Sequence, residues 1–101
     1  MLGFIKKLFG PGVDLSKKMS DGAIIVDVRS PEEYASGHVK ESKNIPLDKI
    51  SGKIEAIKKW NKPVITCCAS GMRSGSAASI LKQNGVEAYN GGSWQKAGKV
   101  A

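Results

Sequence analysis

Two short apolar runs constrain this chain more than anything else in it. Ala23-Ile24-Ile25-Val26-Asp27-Val28 is apolar at every position but Asp27, and Pro63-Val64-Ile65-Thr66 leads directly into Cys67. Runs this short and this rich in β-branched residues read as strands buried on both faces, the pattern of a parallel sheet. Helix signals fall between and after them. Ser30-Pro31-Glu32-Glu33 places an N-cap serine, a proline at the first helical position and acids in the first turn, with Gly37 as the stop. Ile54, Ile57 and Trp60 give the stretch Ser51–Trp60 one buried stripe. Ser74–Asn84 reads as a further helix closed by Gly85.

The remaining segments are shorter. Val13–Met19 reads as a strand start and a small helix, stopped at Ser20-Asp21-Gly22. Asn44-Ile45-Pro46 reads as briefly extended, and Val86–Tyr89 as a last strand. Asn90-Gly91-Gly92 and a helix around Trp94 follow it. Strands alternating with helices predict an α/β fold with a small, mostly parallel sheet. Ligands of such sheets bind beyond the carboxyl ends of the strands. Asp27 and Cys68 both fall there.

A chain of 101 residues holds one domain. Residues 1–12 read as an amphipathic arm ending at Gly10-Pro11-Gly12, too short for a signal-peptide apolar region and no stable membrane anchor. The expectation is a cytoplasmic protein whose two cysteines are reduced thiols. The net charge of +7 is scattered over single lysines and lysine pairs, without a long basic run or interleaved aromatics. This argues against nucleic acid and for a solvated lysine surface that steers small anions. Only two of the 16 basic residues are arginine, Arg29 and Arg73. Arginine's planar fork offers a geometry that lysine cannot copy, which suggests placement for geometry at both positions.

Cys67-Cys68-Ala69-Ser70-Gly71-Met72-Arg73-Ser74 carries the chemistry. A cysteine at a strand exit, a tight loop and an arginine opening a helix can hold an anion beside a thiolate. Loop N–H groups and the helix N-terminus both favour the ionised thiol, and a part-exposed, electropositive setting activates it as a nucleophile. Counted from Cys67, five residues separate the thiol from Arg73, the spacing of the tyrosine-phosphatase signature. Counted from Cys68, four intervene. Strand alternation sends the two side chains in opposite directions, so only one faces the loop. An apolar strand running through Cys67 leaves Cys68 at the turn.

The other candidates read as support. Asp27, an acid ending a buried strand, needs a basic partner or N–H groups. Arg29 is expected to pair with Glu32 or Glu33 of the next helix. Arg73, a cation at a helix N-terminus, calls for an anion or an acid beside it. His38 at a helix exit reads as a structural hydrogen-bonding residue rather than a base. Two cysteines and one histidine are too few ligands for a zinc site, so no metal is expected.

In this order, these residues resemble the rhodanese-like family. Asp27-Val28-Arg29 with Glu33-Tyr34 and Gly37-His38-Val39 resembles the first signature, and Asn44-Ile45-Pro46 the segment after it. Cys68 through Ser74 resembles the active-site loop, and Gly91-Gly92-Ser93-Trp94 the closing glycine pair and tryptophan. The resemblance spans about residues 13–98 and implies a domain over 13–101, with helices on both faces of the sheet. It implies Cys68 as the catalytic cysteine, with Ala69, Ser70, Gly71, Met72, Arg73 and Ser74 binding substrate. It leaves Asp27, Arg29, Glu33 and His38 as structural support. The six-residue loop from Cys68 to Arg73 is the sulfurtransferase length; related phosphatases have one residue more.

The implied reaction is ping-pong sulfur transfer through a Cys68 persulfide without a cofactor. A small anionic donor such as thiosulfate gives its sulfur, and a thiol, cyanide or a protein acceptor takes it. Ala69 and Met72 are apolar where many relatives carry polar or charged residues. This leaves a polysulfide or a protein persulfide as open as thiosulfate for the donor. Lys40-Glu41-Ser42-Lys43 also departs from the family and reads as a surface change. Two alternatives stand beside this reading. One is a small cysteine-dependent phosphatase or arsenate-reductase-like enzyme. The other is a non-catalytic sulfur carrier or regulatory binding module.

Overall fold

Four parallel strands, β1 (Ile24–Asp27), β2 (Lys43–Asn44), β3 (Val64–Cys68) and β4 (Ala88–Ser93), form one sheet in the order β2-β1-β3-β4. The computed structural model describes residues 13–101, so the arm expected at 1–12 lies outside the described residues. Parallel neighbours need crossovers. These are α2 (Pro31–Ala35), a 3-10 segment (Leu47–Lys53) running into α3 (Ile54–Trp60), and α4 (Met72–Gln83). Helix α1 (Leu15–Ser20) precedes the sheet and α5 (Trp94–Gly98) follows it.

Alternation along the strands sorts the core into two layers. Val26, Val28, Val64, Cys68 and Ala88 meet Ile50, Ile54, Ile57, Ala77, Ala78 and Leu81 on one face. Ile25, Ile65 and Cys67 meet Val39 and Ala97 on the other, with Leu15, Met19 and Trp94 packed against them. Every residue of β3 is buried. It is a central strand covered on both faces, which explains its uninterrupted apolar run. Fully burying a side chain such as Leu81 or Ile57 stabilises the fold by about 1.5–3 kcal/mol.

Several boundaries differ from the sequence reading, each for a local reason. Val13-Asp14 starts no strand; the Asp14 side chain accepts from the Lys17 N–H and caps α1. The stretch read as one helix from Ser51 begins instead as the 3-10 segment at Leu47 and becomes α-helical only at Ile54, after Gly52 has weakened the α pattern. Helix α4 starts at Met72 rather than Ser74, because Gly71 at φ 100° turns the chain into it. The glycine pair does not end β4. Register runs from Thr66 opposite Asn90 to Cys68 opposite Ser93, so β4 carries one extra residue as a bulge. A Cβ on Gly91 would lie 2.7 Å from Ile65 Cγ2 and 2.8 Å from the Thr66 carbonyl oxygen; only glycine lets the strands approach this closely. Among the described residues, no helix is long and apolar enough to cross a membrane.

Candidate active site at the carboxyl end of β3

Strand β3 delivers both cysteines to the end of the sheet and sends them apart. Cys68 enters the layer with α4, and Cys67 enters the layer with α5 and Trp94. Both are free thiols and both are fully buried. Cys68 is therefore neither at the turn nor part-exposed, as the sequence suggested. The strand runs one residue further, and the loop folds back onto its sulfur. The Gly71 N–H donates to Sγ at 3.0 Å and the Ser74 N–H at 3.4 Å, while the thiol faces the Ser74 hydroxyl at 3.4 Å.

These contacts separate the two thiols. Burial pushes the Cys68 thiol up, but hydrogen bonding at Ser74, Gly71 and Ser70, with all three amides donating to Sγ, outweighs it and brings it from 9.0 to about 7. Among the described residues, Cys67 has no such donors. Burial, with the Asp27 carboxylate adding to it, pushes it up to about 12. One of two adjacent cysteines is therefore substantially thiolate at neutral pH.

Arg73 lies at the loop's end in the first turn of α4. Its fork is engaged by Glu33, with Nη1 to Oε1 at 2.8 Å and Nη2 to Oε2 at 3.0 Å. The acid that a cation at a helix N-terminus calls for is present. Glu33 also closes a capping box with Ser30 at the start of α2. Arg73, with the Ser30 amide, holds the Glu33 carboxyl down from 4.5 to about 2. Ala69, Ser70 and Met72 form the exposed rim; Met72, at 80% exposure, presents a bare apolar side chain there.

Arg29 pairs with Asp27, not with Glu32 or Glu33. Nε reaches both carboxylate oxygens at 2.9 and 3.0 Å, and Nη2 reaches Oδ2 at 2.8 Å. Asp27 is fully buried and two residues away, so it has first claim on the guanidinium. Arg29 also binds the Gly37 carbonyl at 2.7 Å and stacks 4.9 Å from the centre of the Trp94 ring. His38 is exposed; its Nδ1 lies 2.8 Å from the Tyr34 carbonyl oxygen, and its ring stacks on Tyr34 at 3.7 Å. It lines a groove of about 830 Å³ with Met19, Val39 and Trp94, and the Cys68 loop takes no part in that groove. Among the described residues, no three His, Cys, Asp or Glu side chains cluster as a metal site would need.

Two residues of the site escaped the sequence reading. Thr66 donates to the Ser74 carbonyl at 2.8 Å from inside β3. The sequence places Asn90 only after the last strand, beside the glycine pair, yet its side chain binds Gly71, Ser74 and Gly92. The one signal for Asn90 was its place beside Gly91-Gly92, where the bulge turns it toward the loop.

Comparison with known proteins finds relatives of the chain. The family profile of the rhodanese-like domain matches residues 13–96. The chain is 40% identical over 81 residues to the uncharacterized protein YqhL of Bacillus subtilis, covering 77% of this chain and 64% of that one. It is 39% identical over 61 residues to the thiosulfate sulfurtransferase PspE of Escherichia coli, covering 59% of each. The chain thus spans less than two thirds of either relative. Its fold superposes on the crystal structure of a rhodanese-like domain protein from Staphylococcus aureus with a TM-score of 0.67, 36% identity and coverage of 75% and 74% of the two chains.

Proposed function

The chain belongs to the rhodanese-like domain family, and from that premise we propose that it is a sulfurtransferase whose nucleophile is Cys68. The observation that carries the reading is the ring of donors on Cys68 Sγ, which favours the thiolate at neutral pH. The thiolate attacks the outer sulfur of a donor such as thiosulfate. A bond forms between Sγ and that sulfur, the donor's S–S bond breaks, and sulfite leaves with the electron pair. The Cys68 persulfide that remains carries its charge on the terminal sulfur, where the N–H groups of residues 69–74 can meet it. A thiolate or cyanide then attacks the terminal sulfur, and Sγ departs as thiolate. No net proton or electron is left over, so the chain's own residues suffice.

Arg73 acts here through Glu33 as a brace at the end of the loop. The apolar rim of Ala69 and Met72 suits a polysulfide or a protein-borne persulfide as well as thiosulfate. Thiocyanate formation from cyanide, with thiosulfate and polysulfide as alternative donors, tests the reading. Turnover with either donor supports it. Turnover of an aryl phosphate with neither donor active contradicts it, and so does inactivity with all three.

A further inference from the structure

Two of the residues that hydrogen-bond to Cys68 Sγ, Gly71 and Ser74, are held in turn by one side chain outside the loop. Asn90 Nδ2 donates to the Gly71 carbonyl at 3.0 Å. Asn90 Oδ1 accepts from the Ser74 hydroxyl at 2.6 Å and from the Gly92 N–H at 2.9 Å. The amide has a single workable orientation, because the Gly71 carbonyl can only accept and the Gly92 N–H can only donate. A flipped amide would set like against like at both. Asn90 therefore spans the loop from its third residue after Cys68 to the first turn of α4.

We propose that Asn90 is a positioning residue for Cys68, holding Gly71 and Ser74 so that their N–H groups meet the sulfur. This rests on Cys68 being the reacting thiol. The Gly71 carbonyl belongs to a residue at φ 100°, and a Cβ there would come within 3.4 Å of Gly92 Cα. The loop is thus pressed against the β4 bulge, and Asn90 is the polar clasp across that contact. The extra residue in β4 and Gly92 at φ 83° bring the Gly92 N–H onto Asn90 Oδ1. Without the clasp, Gly71 is free to relax from its left-handed conformation and its N–H drifts off the sulfur.

One effect opposes this. Oδ1 holds the Ser74 proton, which leaves a lone pair for the neutral thiol and so favours the uncharged form. That is a single neutral contact, whereas the brace aims two N–H groups at an anion. Hydrogen bonds to an ionised group are about twice as strong as neutral ones. The brace therefore sets the sign, and losing Asn90 makes Cys68 harder to ionise.

The test is the rate of Cys68 alkylation by iodoacetamide against pH, resolved from Cys67 by peptide mapping. In Asn90→Ala the midpoint rises by about half a pH unit or more, through loss of hydrogen bonding to the charged form. Asn90→Gln keeps the amide but displaces it by one methylene and shifts the midpoint the same way. Tyr89→Phe, next along the strand, leaves it in place. Asn90 is exposed, so Asn90→Ala should fold; should it not, Asn90→Gln alone decides. An unchanged midpoint in a folded variant overturns the proposal. So does a lowered one, which would mean that Asn90 chiefly competes for the Ser74 proton. The reagent needs no sulfur donor, so the outcome is readable whether or not the protein forms a persulfide.

Discussion

Cys67 and Cys68 are consecutive in β3, and their side chains enter opposite layers of the core. Alternation along one strand therefore decides which thiol meets the loop. The two thiols of the vicinal pair sit in unlike surroundings. One sulfur faces N–H groups, and the other faces apolar neighbours and a carboxylate.

This relationship predicts selective alkylation. In the folded protein, Cys68 modification is half-maximal near pH 7 and rises with pH, because the thiolate is the reacting form. Cys67, pushed up to about 12, stays unmodified at pH 8 until the protein is unfolded. Peptide mapping after iodoacetamide checks both. Equal labelling of the two cysteines at pH 8 would contradict the assignment.

Glu33 ties acid stability to the loop. Its carboxyl is depressed when folded, from 4.5 to about 2, so its contribution is fully present above pH 4.5 and is lost as pH falls toward 2. Glu33→Gln keeps an acceptor for Ser30 but removes the charge that Arg73 binds. The gap between the urea midpoints of the wild type and the variant should be widest at pH 7 and narrow steadily as pH falls from 4.5 toward 2. A constant difference across that window would mean that the ion pair is not its source. Sulfur transfer should also fall in the variant, since Arg73 then loses the partner that braces the loop.

The buried Arg29–Asp27 pair should be costly to halve. Arg29→Ala leaves a fully buried carboxylate without its partner, at a loss of about 3–5 kcal/mol. Denaturant unfolding measures it. A loss under about 1 kcal/mol would be the cost of a surface pair and would contradict the burial.

Two glycines give a paired test of close approach. Gly91→Ala forces a Cβ against Ile65 and the Thr66 carbonyl, and overpacking of this kind costs about 1–3 kcal/mol. Among the described residues, nothing lies within 4 Å of the position a Cβ on Gly52 would take, so Gly52→Ala should be neutral or slightly stabilising. Reversal of that order would place the tight contact elsewhere.

The fold was legible because its signals are local. β-Branched runs gave β1 and β3, and Ser30-Pro31-Glu32-Glu33 gave the start of α2 with its capping box. What the sequence hid depends on contacts between distant segments. Arg29 offered several acids within reach, and only burial of Asp27 selects among them. Glu33 and Arg73 are 40 residues apart, and nothing local links them. The glycine pair looked like a strand end because glycine is a turn residue; in the fold it is a bulge inside β4. Asn90 was hidden by that same misreading.

The most direct measurement is intact mass after incubation with thiosulfate or polysulfide, then after cyanide. The account predicts an adduct of about 32 Da, one sulfur carried as a cysteine persulfide, that cyanide removes as thiocyanate. It should persist in Cys67→Ser and be absent from Cys68→Ser. An adduct that survives in Cys68→Ser and is lost in Cys67→Ser would contradict the central claim.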